Sequence, residues 1–577
     1  MKKLLAVSVL ATASAASMQA QAFKFDTPSD WDIRWDNTIK GNLMVRVENM
    51  DPSVYDPSRT KADGGPNPTA AGIADDADFS VKQGHFVSQR IDLLSEMDVI
   101  WKDKLGFRVS GAGWYDFAYD GSAYPSNGIN KAGREPYSTF AYTTVQPGEY
   151  NDAAEDLHYR GGELLDAFVF ANFDISEDVS ANVRAGRHTI YWGQSLLSTG
   201  AIHGFAGSMA ALDLAKGLGT PGSEAKELFI PNNKISTTFQ ISGGWSVSAY
   251  YALGFEPLRW PASGTYFSLN ELLTEHSECL TAAANFLGPN TRGCFRSVDY
   301  KSKDSGDWGI NVGYYVEPWD LEVSAIYMNA TDRLTSGLYS AGGVTPGMAA
   351  EAANTNATLL GLYGWVYKED IDVFGLSFSK QMWDISWGAD FVVRLNNALN
   401  PDLTASLTSS YASPSDVDTD GNYPGPTGDT AHIVINGLGF LDGEWGLWDG
   451  GTYLAELTMS QLLDWGDFED KANTYIKDDN FCSHIGGVFK PTWYQVRPGW
   501  DFSALGSVSY AISCKQAPNS AGGNAKVGNA SIGGSIDIDQ VWNIALNYNI
   551  YYGPQKQGTA AFIKDRDNVA LTVKRTF

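Results

Sequence analysis

The chain has 577 residues, 13% aromatic and 60 of them glycine, with 41 Lys and Arg against 67 Asp and Glu for a net charge of −26. Such an acidic chain excludes a nucleic-acid binder, which needs clustered cations against phosphate. No stretch reaches the roughly 18 to 20 apolar residues of a spanning helix, so a helical membrane protein is excluded too.

The N-terminus carries Lys2 and Lys3, the apolar run Leu4 to Ala11, and Ala20, Gln21 and Ala22 before Phe23. This pattern predicts a secretory signal peptide over 1–22. Its removal leaves 39 basic against 67 acidic residues, a net charge of −28. No Pro/Ser-rich linker or charge block divides the remainder, which reads as one domain over 23–577.

From Trp31 the sequence alternates: Trp31, Ile33, Trp35, Ile39, Leu43, Val45 and Val47 against Asp32, Arg34, Asp36, Thr38, Lys40, Asn42, Arg46 and Glu48. A period of two with apolar and polar faces is that of a barrel wall, lipid outside and water inside. Ile91, Leu93, Met97, Val99 and Trp101 continue it, and a tight turn at Lys102 to Lys104 leads to Leu105, Phe107 and Val109. Further short turns are expected at Ser176 to Asp178, Gly243 and Gly244, Pro318 to Asp320, Gln381 to Trp383, Arg497 to Gly499, and Gln540. The connections between these hairpins are long, as on the outer side of outer-membrane barrels.

The last strand places Val569, Leu571, Val573 and Phe577 on one face and Asn568, Ala570, Thr572, Lys574 and Thr576 on the other. A terminal Phe resembles the signal read by the barrel assembly machinery, which makes that machinery a partner through Phe577. The predicted fold is all-β: a transmembrane antiparallel up-and-down barrel of about 18 strands, within a range of 16 to 20, in the outer membrane of a Gram-negative bacterium. A soluble sandwich shares the period, but the leader and the terminal Phe favour the barrel.

Two long connections are candidate inserted segments: 193–233, with Ile202, Phe205, Met209, Leu212, Leu214 and Leu218 among Ala and Gly, and 330–366, where Ala349 to Tyr363 reads as helix-friendly. Apolar loop sequence can fold into the lumen as a plug or pack among the loops. Asp166, Arg184, Arg187, Glu224 and Glu227 are the charges expected to anchor such a plug. The alternative for Arg184 and Arg187 is recognition of a ligand's carboxylate or sulfate. Trp192, Phe205, Met209, Phe255, Trp260, Tyr266 and Phe267 are the candidate apolar ligand or plug surface.

No G-x-S-x-G elbow occurs, and His188 or His203 with Ser195 or Ser208 would form a hydrolase site only if folding joined them, so no catalytic residue is assigned. Cys279, Cys294, Cys482 and Cys514 in an exported chain point to two disulfides, Cys279 with Cys294 and Cys482 with Cys514. A metal site with His276 and His484 is the competing reading, against which stands the lack of C-x-x-C spacing. Asp416, Asp418 and Asp420 before Gly421 open like a calcium loop, but Thr427 stands at its twelfth position; either Asp429 completes a structural calcium site from slightly beyond, or the run is a solvated acidic hairpin tip of an outer loop. No other cofactor is expected.

The succession GGELLDAFVF from Gly161, VRAGRHTIYWGQS from Val183, PGSEAKELFIP from Pro221 and FEPLRWPASGTYFS from Phe255 resembles the domain-of-unknown-function 1302 family of outer-membrane proteins. EDIDVFGLSFS from Glu369, TYLAELT from Thr452 and the VKRTF ending extend the resemblance over most of the chain. It implies a large barrel that moves hydrophobic, steroid-like or other lipid-like compounds. It also implies a periplasmic partner of the domain-of-unknown-function 1329 type and an inner-membrane exporter of the resistance-nodulation-division class. Pro261, Ala262 and Ser263 stand where the family would place a cysteine, which leaves any disulfide there absent or moved to Cys279 and Cys294.

The expected function is therefore a monomeric outer-membrane transport channel for hydrophobic or amphipathic small molecules, not an enzyme. A general or cation-preferring porin and a non-conducting surface barrel are the alternatives, and the sequence does not choose between uptake and export.

Overall fold

The computed structural model describes residues 23–577 except 26, 28–29, 52–53, 55–79, 120–151, 263, 269–292, 298–305, 335–336, 342–357, 402–409, 412–422, 444–445, 473–475, 477–479, 514–524 and 555–562. The leader, Cys279, Cys514, His276, Asp416, Asp418 and Asp420 thus lie outside the described residues. The wall consists of β1 (Trp31–Arg46), β2 (Phe86–Trp101), β3 (Leu105–Asp116), β4 (Arg160–Ser176), β5 (Val179–His188), β6 (Asn232–Ile241), β7 (Trp245–Ala252), β8 (Trp308–Val316) and β9 (Leu321–Ala330). It continues through β10 (Ile371–Met382), β11 (Ile385–Ala398), β12 (Thr427–Leu441), β13 (Gly450–Trp465), β14 (Phe481–Arg497), β15 (Trp500–Ser513), β16 (Gly528–Ile538), β17 (Trp542–Tyr552) and β18 (Asn568–Thr576).

Each strand pairs antiparallel with the next, and β1 pairs with β18 from Thr38 opposite Thr576 to Arg46 opposite Asn568. The sheet is therefore a closed barrel of 18 strands, which leaves no edge to unpaired backbone groups in lipid. The backbone amide of Phe577 donates to Asn37 O at 2.9 Å, and Asn37 N donates back to Phe577 O at 2.8 Å, so the terminal aromatic is locked into the seam.

The period of two explains the wall. On β1, Trp31, Trp35, Ile39 and Leu43 are exposed outward, whereas Lys40, Asn42 and Arg46 are buried. On β18, Asn568, Ala570 and Thr572 are buried inside, the face expected from the sequence. Polar groups point into the protein and apolar ones into the surroundings, the arrangement required when the surroundings are hydrocarbon.

Connections on one side are tight and carry the left-handed pairs of hairpin turns: φ is 52° and 57° at Lys102 and Asp103, and 50° and 57° at Asp539 and Gln540. The turn expected at Gln381 to Trp383 lies at Trp383 and Asp384, φ 57° and 59°, because β10 runs on to Met382. The long loops emerge at the other end. There Thr358–Val366 is a strand, so the Leu-rich end of the stretch read as helix-friendly is extended, while its Ala-rich start lies outside the described residues; the strand pairs parallel with Gly293–Ser297 and antiparallel with Gly337–Ala341 in a sheet separate from the wall. Weak helix propensity yields to backbone partners supplied by other loops. The second inserted candidate, 330–366, thus contributes in part to a loop sheet rather than to a helical plug.

Candidate functional site

The connection between β5 and β6 folds into four short helices, α1 (Ser198–His203), α2 (Ala206–Met209), α3 (Leu214–Gly219) and α4 (Ala225–Leu228). Local chemistry sets their ends. Asp213 caps α3 by accepting from Lys216 N at 2.7 Å, and Glu224 with Glu227 forms a capping box on α4. Ala211–Leu212 pairs with Phe229–Ile230 and ties the segment's two halves together.

This segment lies across the lumen and is bonded to two well-separated arcs of wall. On β11 to β13, Asp390 accepts from Gln194 N at 2.8 Å, while Glu456 accepts from Leu196 N at 2.6 Å and Leu197 N at 3.2 Å. Asn436 donates to Gln194 O at 2.6 Å. Arg394 donates through one terminal nitrogen to the carbonyls of Ile202 (2.8 Å), His203 (3.3 Å) and Gly204 (2.9 Å), a cation closing the C-terminal end of α1. His203 Nδ1 lies 2.9 Å from His432 Nδ1, so one ring donates and the other accepts.

On β1, β2, β4 and β18 the bonds are ion pairs: Lys40 with Glu227 at 3.0 Å, Lys574 with Glu224 at 2.5 Å, Lys216 with Glu163 at 2.6 Å, and Lys226 with Glu96. Burial favours the neutral acid at Glu224, but Lys574, with Lys226 and Lys40 behind it, outweighs burial and holds the carboxyl below its usual range. Burial opposes the charge on Lys226, yet Glu96 and Glu224 raise its pKa.

Apolar packing seats the segment as well. Trp192, Phe205 and Met209 form one buried cluster with Tyr250, Ile326, Met328, Ile371, Val373 and Val392 of the wall. The wall makes room with glycines. A Cβ on Gly388 would lie 2.6 Å from Gln194 Cβ and one on Gly486 2.3 Å from Leu197 Cδ1. A second cluster joins Leu212, Phe229, Leu258 and Leu334, with Trp260 against its edge.

The expected ligand residues therefore do not form one open surface. Trp192, Phe205 and Met209 are buried joints between segment and wall, and Phe255 meets Tyr367 in a tilted ring contact at 5.1 Å beneath the Arg333 guanidinium. Tyr266 and Phe267 pack elsewhere, with Met44, Val87 and Ala570, and Tyr266 lies between the guanidiniums of Arg46 and Arg566.

The anchoring charges also need correction. Glu224 and Glu227 do anchor the segment, but on Lys574 and Lys40 rather than on Arg184 and Arg187. Arg187 pairs with Glu256 at 2.6 Å, Arg184 sits over the Phe168 ring, and Asp166 accepts from Arg108 at 3.2 Å. The register explains this: Arg184 stands opposite Phe170 and Arg187 opposite Ala167, so neither is the direct cross-strand partner of Asp166. The true anchors on β11 to β13, Asp390, Arg394, His432, Asn436 and Glu456, were missed. Their signal is a lone charged or polar side chain at inward positions of strongly apolar strands, as Glu456 within TYLAELT.

His188 approaches Ser236 Oγ at 2.8 Å and Gly186 O at 3.0 Å, while His203 is engaged by His432. Neither meets Ser195 or Ser208. Asp429 accepts from Asn396 N at 2.9 Å, and among the described residues no group of three metal-ligating side chains occurs. Cys482, buried near the start of β14, is not free.

The model of the family described as "Protein of unknown function (DUF1302)" matches residues 3–577, essentially the whole chain. The chain belongs to that family. No curated protein matches it. Similar solved structures include Acinetobacter baumannii OccAB3, 9% identical with a TM-score of 0.40 over 94% of this chain and 99% of that one. OccAB1 of the same organism is 10% identical, TM-score 0.40, over 97% and 99%. Pseudomonas aeruginosa OpdK, solved with vanillate, is 8% identical, TM-score 0.37, over 94% and 98%. The DUF1302 chain thus places on its own closed barrel a lumen segment held from both sides.

Proposed function

We propose that the protein is an outer-membrane transport channel for hydrophobic or amphipathic small molecules, and that the α1 to α4 segment is its gate. The observation that carries the reading is the bonding of that segment to two separate arcs of wall, Asp390, Arg394 and Glu456 on one and Lys40 and Lys574 on the other. The two apolar clusters of the lumen are buried joints that seat the segment on the wall, so the apolar character of the cargo rests on the family resemblance. The family resemblance adds the expectation of lipid-like cargo, of a periplasmic partner of the domain-of-unknown-function 1329 type docking on the short turns, and of an inner-membrane exporter of the resistance-nodulation-division class; the barrel itself is proposed to be a monomer.

Deleting 202–218 and recording the purified barrel in planar bilayers tests the gate. A large steady pore that also passes hydrophilic sugars is expected of the deletion, with little sugar flux in the intact chain. An intact chain that already conducts like the deletion would favour the general porin. Liposome flux of a neutral steroid through the intact chain, absent in empty liposomes, tests the cargo class.

A further inference from the structure

The connections on the short-turn side of the barrel are not alike. At three of them, between β8 and β9, β10 and β11, and β12 and β13, large apolar side chains stand clear of the protein. Trp319 is 65% exposed, Trp383 77%, Phe440 68% and Leu447 60%. The turns at 102–104, 177–178, 242–244, 498–499 and 539–541 hold no aromatic residue and no leucine. Register makes the three apolar turns neighbours on the rim. Leu321 opposite Lys380 brings Trp319 beside Trp383, and Ile385 opposite Gly439 brings Trp383 beside Phe440.

Lipid does not account for this ridge. The belt that meets the membrane surface, with Trp31, Trp245 and Trp542, lies on outward strand positions around the barrel, whereas Trp383 is the tip of its turn. There it takes φ 57°, a left-handed conformation that suits glycine or asparagine and that a bulky residue adopts against its preference. Phe440 stands opposite Thr452 on the inner face shared by the buried Asn436 and Glu456, so it borders the aqueous mouth of the lumen. A contiguous exposed apolar surface of this kind marks a contact with another molecule. Its border is of one sign: the three turns carry Glu317, Asp320, Asp384, Asp442 and Asp449 and no basic residue.

We infer that this ridge is the docking surface for a soluble periplasmic protein whose apolar socket is bordered by Lys and Arg. The inference rests on the periplasmic partner of the channel reading and deepens it, because it assigns that partner three adjacent turns and the sign of its charge. The carboxylates would steer the basic border in, and the two tryptophans would supply the buried anchors. Strands β11 to β13, which run into the ridge, carry Asp390, Arg394 and Glu456 on their inner faces, so the docked partner and the seat of the gate share one arc of wall.

The full chain in nanodiscs, with a purified periplasmic protein of the domain-of-unknown-function 1329 type as probe, tests the surface by biosensor binding. The probe should bind saturably, one per barrel, and Trp319→Ser with Trp383→Ser should weaken it about tenfold or more. Glu317→Gln, Asp384→Asn and Asp442→Asn together should slow association about tenfold at low salt, a difference that high salt erases. Asp539→Ser with Gln540→Ser, on a turn outside the ridge, should leave binding within about twofold. Heat-modifiable migration certifies each barrel as folded. Binding that survives loss of both tryptophans sinks the ridge alone, whereas an intact chain that binds no probe sinks the periplasmic-partner reading and the ridge with it. Two further results overturn the ridge in favour of other occupants: barrels that sediment as pairs and separate on loss of the tryptophans, or a fluorophore at Trp383→Cys that brominated lipid quenches.

Discussion

Glu456→Gln is the sharpest perturbation of the gate, because it exchanges one carboxylate oxygen for an amide nitrogen at nearly constant volume. Glu456 receives the amides of Leu196 and Leu197 at 2.6 and 3.2 Å, and Gly200 approaches so closely that a Cβ there would lie 2.2 Å from its Oε1. A carboxylate accepts at both oxygens, whereas a glutamine offers one acceptor and one donor. The substitution loses one charge-assisted bond, about 1.5 to 3 kcal/mol, weakens the other, and turns an amide nitrogen toward an N–H. A net loss of about 3 kcal/mol raises the unseated population roughly a hundredfold. Single-channel recording should show a corresponding rise in open probability, with unchanged heat-modifiable migration on gels to certify a folded barrel. An open probability within about twofold of the unmodified chain, in a folded barrel, would refute the view that these bonds hold the gate.

Steric seating can be tested without touching charge. Gly388→Val and Gly486→Val place carbon where Gln194 and Leu197 now lie, 2.6 and 2.3 Å from the added Cβ, and each should raise conductance in a barrel of unchanged strand content by circular dichroism. Loop docking should be acid-sensitive through His158, whose Nε2 accepts from Ala262 N at 3.2 Å and whose ring stacks on Tyr119; burial first, then the charge of Arg90, push it down to about 3. A histidine depressed from 6.5 is neutral when docked and takes up a proton when released. Docking is therefore full above about pH 6.5 and loses about 1.4 kcal/mol per unit as pH falls toward 3. Amide hydrogen exchange over 262–268 should accelerate in that window, and His158→Phe should flatten the profile.

The wall was legible because a barrel strand is its own local code. Trp31, Ile39 and Leu43 against Lys40, Asn42 and Arg46 state both the period and the sign of the two surroundings, and the structure places every one of them accordingly. The hairpins were nearly as legible, since left-handed turn residues such as Asp103, Gly243 and Gly244 mark them. The connection between β12 and β13 carries such marks as well, Gly446 at φ 64° and Gly451 at φ 135°, yet its Trp and Leu residues hid it among the strands, as the loop before β18 was also hidden. The gate was legible as a segment and not as a site. Its small and apolar residues signal insertion, but which wall charge meets which amide is fixed by closing 18 strands, and contacts such as Arg394 with Gly204 or Lys574 with Glu224 span 190 and 350 residues.

The two arcs that hold the gate differ in kind, and the difference assigns them different roles. On β11 to β13 the wall grips main-chain amides and carbonyls of the segment, groups whose positions are fixed by the fold of residues 194–204. On β1 and β18 it grips through the ends of lysine stems, Lys40 to Glu227 and Lys574 to Glu224, which swing through several rotatable bonds at little cost. In the proposed gate, the first arc would therefore serve as hinge and the second as latch. Lys574→Met and Lys40→Met should therefore yield a partial, sub-maximal conductance with the segment still tethered, whereas Glu456→Gln should give excursions to the full level seen when 202–218 are deleted. If the lysine variants reach the full level and Glu456→Gln only a partial one, hinge and latch are exchanged, and the segment opens toward the opposite side of the lumen.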